Sequence, residues 1–584
     1  MDNAEIARHL SDAADLLEIQ GENPFRIRAY RNAVHTVEAE TIPLRRRVAE
    51  GFDLTQLPGI GKDMASHIRE MVGTGRLLVL EQLAREIPLS LLDLMRIQGV
   101  GPKKAKRLWQ ELGVTDVDGL EAAARAGRVA ELEGFGEKSQ AKILAGIAEA
   151  RQHSERMRID QADRVVQPLL EHLARLEEVE RLEVAGSWRR RKETIGDLDL
   201  LAIASDPGPV MAAFTGYDGV ERIEGAGSTR GSVVLGSGLH VDLRVVPRES
   251  YGAAMVYFTG SKEHNVKLRG RAVDRGLRIN EYGVFRIPPG EDTEDPRDGE
   301  RVAGEEEADV YASVGLPWIP PELREDRGEI AAAEARELPE LITLEDLRGD
   351  LQMHSTWSDG KASIDAMVST CAARGYEYLA LTDHSKSLAM TRGLDAKRLR
   401  EQWREIEEVQ AAHPEIRILK SQEIDILADG RLDLEDEMID QLDWVLVSIH
   451  SRFELPAAEQ TERILKAIAH PRVHIFAHPT GRLINQRKPY DFDLDAVLDA
   501  CLEHDVAVEL NAHPVRLDLK DTQLMLARKK GVRVVISTDA HSTTDLALMP
   551  YGIEQARRAW LEPKHVLNTL PLAQLLGVLA RKRV

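Results

Sequence analysis

The sequence predicts a multidomain α/β protein with helical domains first, a mixed α/β region next and a β/α barrel at the C-terminus. A chain of 584 residues is too long for one core and corresponds to about three to five domains. Its first 150 residues carry apolar side chains at helical spacings of three and four. Further along, short apolar runs alternate with amphipathic helices, which favours a parallel sheet closed or nearly closed into a barrel.

The predicted strands form two groups. In the mixed region they are residues 198–203, 232–235 and 240–246, and in the barrel they are residues 378–381, 444–448, 473–476, 506–510 and 532–536. Between the groups, residues 319–345 combine paired prolines with Glu, Ala and Arg, a composition typical of a linker.

A glycine turn recurs three times in the helical region, each time before a new helix. Its glycines are Gly59, Gly61, Gly99, Gly101, Gly134 and Gly136. Two glycines permit a tight turn, after which a helix presents free backbone N–H groups and its positive dipole end. A single copy would indicate only a turn in a bundle. Three copies, each with an apolar residue two positions before the first glycine, favour helix-hairpin-helix contacts to the phosphate backbone of duplex nucleic acid.

Composition excludes some classes of protein and leaves others open. No apolar run approaches the roughly 20 residues of a membrane-spanning helix, and the N-terminus lacks the layout of a signal peptide, so we expect a cytoplasmic protein without a membrane partner. Cys371 and Cys501, the only cysteines, lie in unrelated contexts and indicate neither a disulfide nor a thiolate metal site. The net charge of −21 includes ten acidic residues against two arginines between residues 290 and 311, so it does not exclude nucleic acid.

Three aspartates in the mixed region predict a site for divalent cations. Asp197 and Asp199 flank one apolar residue at the start of a predicted strand, so both carboxylates point to one face. Asp242, on another predicted strand, can complete the ligand set of two hard cations. Ser187 and Arg190 lie just upstream and offer groups that bind triphosphate oxygens. The alternative is a solvated arginine-rich turn followed by aspartates on an edge strand.

These residues resemble the family X DNA polymerases. Residues 184–199 match the nucleotidyltransferase signature of that family with unchanged spacing, residues 241–245 match its third aspartate motif, and residues 257–261 match its sugar-pocket motif. The resemblance implies that Asp197 and Asp199 bind two Mg²⁺ or Mn²⁺ ions, while Asp242 binds the catalytic ion and helps activate the primer 3′-hydroxyl. It also implies nucleotide contacts by Arg158, Ser187, Arg190, Gly196, Tyr257, Phe258, Gly260, Asn265 and Arg269.

The same resemblance assigns partners and raises one exception. The expected partners are deoxynucleoside triphosphates and gapped or nicked double-stranded DNA, bound by a monomer. In the N-terminal domain, Arg26 and Tyr30 match positions that hold a 5′-phosphate. His67, however, stands where related lyases have their Schiff-base lysine, and an imidazole cannot form that imine. Lyase activity is therefore not expected unless Lys62 takes over this role.

Beyond residue 345, groups that bind metals follow nearly every apolar run. They are His354, Asp359, His384, Glu423, His450, His478, Asp539 and His541. Strand ends are where barrels carry out chemistry, and eight nitrogen and oxygen ligands at one rim are hard to explain as core filling. Since no cysteine is among them, we expect a cluster of Mn²⁺ or Zn²⁺ ions that activates water to attack a phosphodiester.

This pattern resembles the PHP (polymerase and histidinol phosphatase) superfamily, on residues 350–360, 382–384 and 537–541. The resemblance implies a metal-dependent 3′→5′ exonuclease, with abasic-site endonuclease or 3′-phosphatase activity as associated functions. Gln352 departs from the pattern, because the family usually has histidine there and an amide binds such metals more weakly. His513 could compensate, although a contact to substrate or to a ligand is favoured. Arg482 and Arg516 are candidates for substrate phosphate contacts.

Together the resemblances divide the chain into six segments. They are a lyase-like helical domain (1–82), a fingers-type helical domain (83–157), a nucleotidyltransferase palm (158–250), a thumb-type subdomain (251–318), the linker (319–345) and the PHP barrel (346–584). The leading hypothesis is a repair enzyme that trims or incises damaged DNA and fills short gaps. The alternatives are a phosphoesterase with a vestigial polymerase core and a non-catalytic scaffold for DNA ends.

Overall fold

The computed structural model describes residues 3–39, 44–95, 97, 100–132, 134–154, 156–287 and 295–583. The chain forms two compact units, Met1–Glu155 and Arg156–Val584. Gly99, predicted for the second hairpin, lies outside the described residues. In the part of the chain that the structure describes, no helix is both long and apolar enough to cross a membrane.

The described residues of the first unit form helices joined by turns. Its helices are α1 (Asn3–Gln20), α2 (Pro24–Ala39), α3 (Leu44–Ala49), α4 (Lys62–Thr74), α5 (Leu78–Glu86), α6 (Leu91–Met95), α7 (Pro102–Leu112), α8 (Val117–Arg125) and α9 (Gly136–Ser154). Apolar side chains at helical spacing, such as Leu10 and Leu17 of α1, meet in one core. Gly61 and Gly101 cap α4 and α7, and Pro102 suits the first position of α7, where no N–H partner is needed.

A five-stranded sheet with the order β2-β4-β7-β6-β5 forms the palm. The elements of this region are β1 (Met157–Arg158), α10 (Ile159–Ala174), β2 (Val179–Val184), α11 (Gly186–Arg189), β3 (Thr194–Ile195), β4 (Asp197–Ala204), α12 (Pro207–Thr215), β5 (Val220–Ala226), β6 (Arg230–Leu235) and β7 (His240–Val245). One face of the sheet packs on α10 and α12. Strands β4 and β7 are parallel, and their register places Asp199 directly beside Asp242.

A smaller subdomain with a three-stranded antiparallel sheet follows the palm. It contains α13 (Tyr251–Thr259), α14 (Lys262–Val273), β8 (Leu277–Asn280), β9 (Gly283–Arg286), β10 (Glu300–Ala303), α15 (Glu307–Ser313) and α16 (Glu329–Ala335). The segment predicted as a linker packs against this subdomain: Ile319, Leu323 and Ala333 are buried in the same core as α13 and α14. Arg324 of that segment is fully buried as well.

Seven parallel strands in sequential order form the C-terminal barrel. Its elements are β11 (Gly349–Met353), α17 (Ile364–Ala373), β12 (Tyr378–Leu381), α18 (Ala396–Ala412), β13 (Arg417–Asp425), α19 (Asp436–Ile439), β14 (Trp444–Ser448), α20 (Ala457–Ile468), β15 (Ile475–Phe476), α21 (Leu494–Glu503), β16 (Ala507–Asn511), α22 (Asp521–Lys530), β17 (Val534–Ser537), α23 (Met549–Arg558) and α24 (Leu572–Ala580). A bridge between Met353 and Ala540 joins the end of the first strand to the segment that follows the last strand. The strands are buried on both faces, as parallel sheets require.

The palm and the barrel share a hydrophobic core. Ile484 and Leu517, from loops of the barrel, are buried among the apolar side chains of α10 and β4. At the same boundary the Tyr551 hydroxyl donates to Asp163 of the palm at 2.9 Å. The two regions therefore pack as parts of one compact unit.

Candidate functional site

The three palm aspartates meet at the adjacent ends of β4 and β7. Gly186 makes this possible, because a Cβ atom there would lie 2.9 Å from Asp199 Oδ2. Burial and the neighbouring carboxylates of Asp197 and Asp242 raise the pKa of Asp199 to about 6. A buried carboxylate with two further carboxylates beside it forms a favourable site for divalent cations, so the residues present fit the metals that the sequence implies.

Asp242 is held by side chains that sequence reasoning did not single out. The Ser232 hydroxyl donates to Asp242 Oδ1 at 2.5 Å from the neighbouring strand β6. Arg230 and Arg244 each approach Asp242 Oδ2 at 3.5 Å. These contacts fix the orientation of the carboxylate, and only strand pairing, not local sequence, places Ser232 beside it.

A cavity of about 380 Å³ lies next to these aspartates. Nine of the predicted residues line it: Ser187, Arg190, Asp197, Asp199, Tyr257, Phe258, Gly260, Asn265 and Arg269. The Ser187 hydroxyl is buried and has no hydrogen-bond partner within the described residues. A buried polar group of this kind calls for a partner from outside the chain, and a phosphate oxygen fits.

Two predicted nucleotide contacts do not line the cavity, namely Gly196 and Arg158. Arg158 instead donates to the buried Asp160 at 2.9 and 3.1 Å. The structure places Arg156 and Lys192 in the cavity wall. Burial lowers the pKa of Lys192, which lies among the other cations of the wall. Lys192 lies within the matched signature but was not singled out there, and Arg156 lies outside the matched motifs.

The eight predicted barrel ligands come together at the carboxyl ends of the strands. Three overlapping groups have ligand atoms within 4.8 Å of one another: His354, Asp359, His384 and His541; His384, Glu423 and His450; and His354, Glu423 and Asp539. His478 joins them, since its Nε2 lies 2.8 Å from Glu423 Oε1. Residues nearly 190 positions apart in the chain thus face one centre.

Histidine and carboxylate alternate in this centre. Although burial opposes ionisation, His384 and His450 hold the pKa of Glu423 well below its usual range. In the same way His354 and His541 hold the pKa of Asp539 low against burial. Ionised carboxylates and imidazoles form the donor set that Mn²⁺ and Zn²⁺ accept, so these residues also fit a metal cluster.

Gln352, the departure from the barrel pattern, lies fully buried at the same centre. In the swapped amide orientation, its nitrogen donates to Glu509. The amide oxygen then points toward the carboxylates of Glu423 and Asp539. These oxygens repel one another unless a cation binds between them. Burial and the nearby Asp539 raise the pKa of Glu509 well above its usual range.

Of the remaining barrel candidates, Arg516 lies at the metal-binding centre, whereas Arg482 and His513 do not. Arg516 Nε lies 3.5 Å from Asp539 Oδ2, at the centre. Arg482 is mostly buried and bonds to Glu193 of the palm at 2.7 and 3.2 Å, so it stabilises the palm boundary rather than facing the substrate side. His513 belongs to none of the metal-binding groups of the described residues, and its Nδ1 accepts a hydrogen bond from the Val515 N–H.

In the first unit, the first glycine of two described hairpins adopts the left-handed conformation that a tight turn requires. Gly59 and Gly134 have φ values of +74° and +82°, in the left-handed region that favours glycine. Tyr30 is buried, and its hydroxyl lies 3.1 Å from His67 Nε2. Arg26 is exposed and paired with Glu22.

The folds and centres define a nucleotidyltransferase palm with helix-hairpin-helix domains before it and a metal-binding barrel after it. Family models agree: "DNA polymerase beta thumb" matches residues 254–325, "Helix-hairpin-helix domain" 1–77, "SAM-like Helix-hairpin-helix tandem" 91–149 and "PHP domain" 350–513. The predicted fold class is therefore confirmed.

Comparison with whole proteins extends the agreement with known families over the whole chain. The protein named "DNA polymerase/3'-5' exonuclease PolX" of Bacillus subtilis is 40% identical over 583 residues, which cover 100% of both chains. "DNA polymerase lambda" of Arabidopsis thaliana is 26% identical over 48% of this chain and 54% of its own, and that of Rattus norvegicus is 23% identical over 55% and 56%. The chain belongs to the bacterial family X DNA polymerases with a C-terminal PHP domain.

Proposed function

We propose that this chain is a DNA-directed DNA polymerase that fills short gaps in DNA repair and carries a metal-dependent 3′→5′ exonuclease in its barrel. The observation that carries the proposal is the presence of both ligand sets in one chain that matches a polymerase and exonuclease over its full length. A phosphoesterase with a vestigial palm is disfavoured, because Asp197, Asp199 and Asp242 are all retained and brought together.

In the palm, the chain's own residues bind and orient. Asp197, Asp199 and Asp242 would hold two divalent ions, which supply charge neutralisation for phosphoryl transfer when bound. Ser187, Arg190, Arg156 and Lys192 bind the triphosphate, while Asn265 and Arg269 contact the minor-groove edge of the nucleotide and the template strand. Tyr257 and Phe258 pack edge to face, with their ring centroids 5.0 Å apart, and form a wall for the sugar. Positioning of this kind is the main contribution that a protein makes to phosphoryl transfer.

In the barrel, the eight ligands, with the Gln352 oxygen, would hold a Mn²⁺ or Zn²⁺ cluster, which supplies an activated water when bound. Arg516 is the candidate for a substrate phosphate contact, since its pairing with Asp539 places it at the metal-binding centre itself. The products of such a centre are shortened primers. Endonuclease action at abasic sites and 3′-phosphatase action are further reactions of the same class.

The N-terminal hairpins complete the proposal by binding gapped or nicked duplex without reading its sequence. The glycines Gly59, Gly61, Gly101, Gly134 and Gly136 shape the hairpins, and Arg26 is exposed and placed to meet a 5′-phosphate. Lyase activity is not part of the proposal, because His67 stands at the position of the Schiff-base lysine and an imidazole cannot form that imine. A monomer in the cytoplasm is the expected working form.

The test uses a 5′-labelled primer on a one-nucleotide-gapped duplex in Mn²⁺, with and without the complementary deoxynucleotide. Extension with the nucleotide and shortening without it are the expected results. Shortening alone would leave the phosphoesterase alternative, and a bound but unchanged primer would leave the scaffold for DNA ends.

A further inference from the structure

Five charged side chains form an alternating row between the palm cavity and the barrel. Arg190 Nε lies 2.9 Å from Glu325, and the same Glu325 oxygen lies 3.0 Å from Arg558 NH1. Arg558 NH2 lies 2.7 Å from Asp521, which also lies 3.0 Å from Arg327. Arg190 belongs to the palm, Glu325 and Arg327 lie between α15 and α16, and Asp521 and Arg558 belong to the barrel helices α22 and α23.

Arg558 is the most deeply buried member of this row. Its side chain is 2% exposed, against 10% for Glu325 and 13% for Asp521. A buried guanidinium must have its donors satisfied, and its planar fork then fixes the groups that it binds. Against the opposing effect of burial, Arg558 and its neighbouring arginines hold the pKa values of Glu325 and Asp521 below their ordinary range.

Arg558 holds Arg190 at two points. Through Glu325 it fixes the guanidinium of Arg190, and its own NH1 also donates to the Arg190 carbonyl oxygen at 2.5 Å. The Arg190 guanidinium then donates to the carbonyl oxygen of Thr259, beside Gly260 of the cavity wall. A barrel residue thereby supports both the backbone and the side chain of a residue that lines the palm cavity.

We propose that Arg558 is a positioning residue of the polymerase nucleotide site, which holds the Arg190 guanidinium toward the triphosphate from behind the cavity wall. The proposal rests on the proposed polymerase function and adds a role for the barrel in nucleotide affinity. The barrel is then part of the nucleotide site as well as the carrier of a second centre.

The experiment compares Arg558→Gln with Arg557→Gln in the full-length chain. Arg557 is a matched control on the same helix, because it also crosses to neighbouring segments, donating to Glu322 at 2.7 Å and to the Ile342 carbonyl, but does not touch Arg190. Two quantities are measured: the KM and kcat for the complementary deoxynucleotide on gapped DNA, and equilibrium binding of that deoxynucleotide in Mg²⁺.

Arg558→Gln should raise KM and weaken nucleotide binding about 10-fold, with kcat changed less than about 3-fold, since one charge-assisted contact of the ground state is lost. Arg557→Gln should leave both quantities within about 2-fold. Arg558→Lys should recover part of the affinity, because one ammonium can still pair with Glu325. In a double variant, Glu325→Gln should add little to Arg558→Gln if the two act in series.

Equal nucleotide binding by Arg558→Gln and the unaltered chain would overturn the proposal, and so would an equal loss in Arg557→Gln. Metal-dependent shortening and thermal melting of each variant report whether it is folded. If the unaltered chain binds nucleotide without extending the primer, the polymerase function fails while the binding comparison still decides the role of Arg558. If it does not bind nucleotide at all, both proposals fail.

Discussion

The palm centre and the barrel centre both gather carboxylates, but they neutralise them differently. In the palm, three aspartates converge and raise the pKa of Asp199 to about 6, and arginines approach Asp242 only at 3.5 Å. In the barrel, histidines stand between the carboxylates and keep Glu423 ionised despite its burial. The palm therefore leaves the charge of its carboxylates to be neutralised by cations from outside, whereas in the barrel the neighbouring histidines share that role.

The largest effect that would test this comparison is expected for Asp242→Asn. The amide keeps the shape of the carboxylate but lacks the charge that holds the catalytic cation, so primer extension should fall more than about 1,000-fold. Shortening of the same primer should change less than about 2-fold, because the barrel ligands are separate. Both activities are read from one gel with and without nucleotide, and a parallel loss of shortening would show that the centres are not independent.

His384→Ala is expected to give the reciprocal result. His384 belongs to two of the three metal-binding groups, so its removal should lower shortening at least about 100-fold, given that outer partners of metal ligands already cost 10–100-fold. Extension should be retained. Metal content measured on the purified variant provides a second readout, and unchanged content would contradict the role of His384 as a ligand.

A smaller effect tests which cation of the palm contacts the nucleotide. The structure places Lys192 in the cavity wall, whereas the family resemblance assigns Arg158. Lys192→Ala should raise the KM for the deoxynucleotide about 5- to 10-fold, since a half-buried cation of the cavity wall is lost. Arg158→Ala should leave that KM unchanged, because Arg158 is paired with Asp160. Steady-state kinetics on gapped DNA decide the matter, and the opposite ranking would favour the assignment from the family motif.

The last prediction concerns stability rather than activity, at the boundary between the palm and the barrel. Burial and the nearby Asp163, opposed by Arg191, raise the pKa of Glu554 to about 7 from an ordinary 4.5. The unfolded chain loses this proton at lower pH than the folded chain, so folding is increasingly penalised as pH rises from about 4.5 to 7, by at most about 3 kcal/mol.

Glu554→Gln removes this penalty and should raise the melting temperature at pH 8, with the gain shrinking at pH 5. Glu459→Gln, at an exposed position of α20, is the matched control for the change in charge. A gain that does not depend on pH would contradict the assigned ionisation.

Residues in local patterns were predictable, and residues whose partners lie far along the chain were not. Asp197 and Asp199 share a face because of strand geometry, and the barrel ligands follow strand ends, so both sets could be predicted from spacing. Ser232 could not, because its partner Asp242 is set by pairing between strands. Arg482 suited a phosphate by residue type, yet its partner Glu193 is 289 positions away.

The predicted linker shows the same limit. Prolines, glutamates and alanines in residues 319–345 are typical of an exposed connection, and composition carries no information about a partner. In the structure Arg324 of this segment is fully buried and donates to Glu307 at 2.7 Å, and its guanidinium stacks over the Tyr311 ring at 5.1 Å. Cation and carboxylate are compatible with burial only as a pair, which the fold assembles.

The shared core of palm and barrel also governs how the chain can be cut. A fragment ending at residue 318 would lack Ile484 and Leu517, which are buried among the apolar side chains of the palm. Its socket would face water, and Asp163 would lose the Tyr551 hydroxyl. During synthesis the palm is made before these residues, so this part of its apolar surface stays exposed to water until the barrel has folded against it. A polymerase half expressed alone is therefore expected to aggregate more readily than the whole chain.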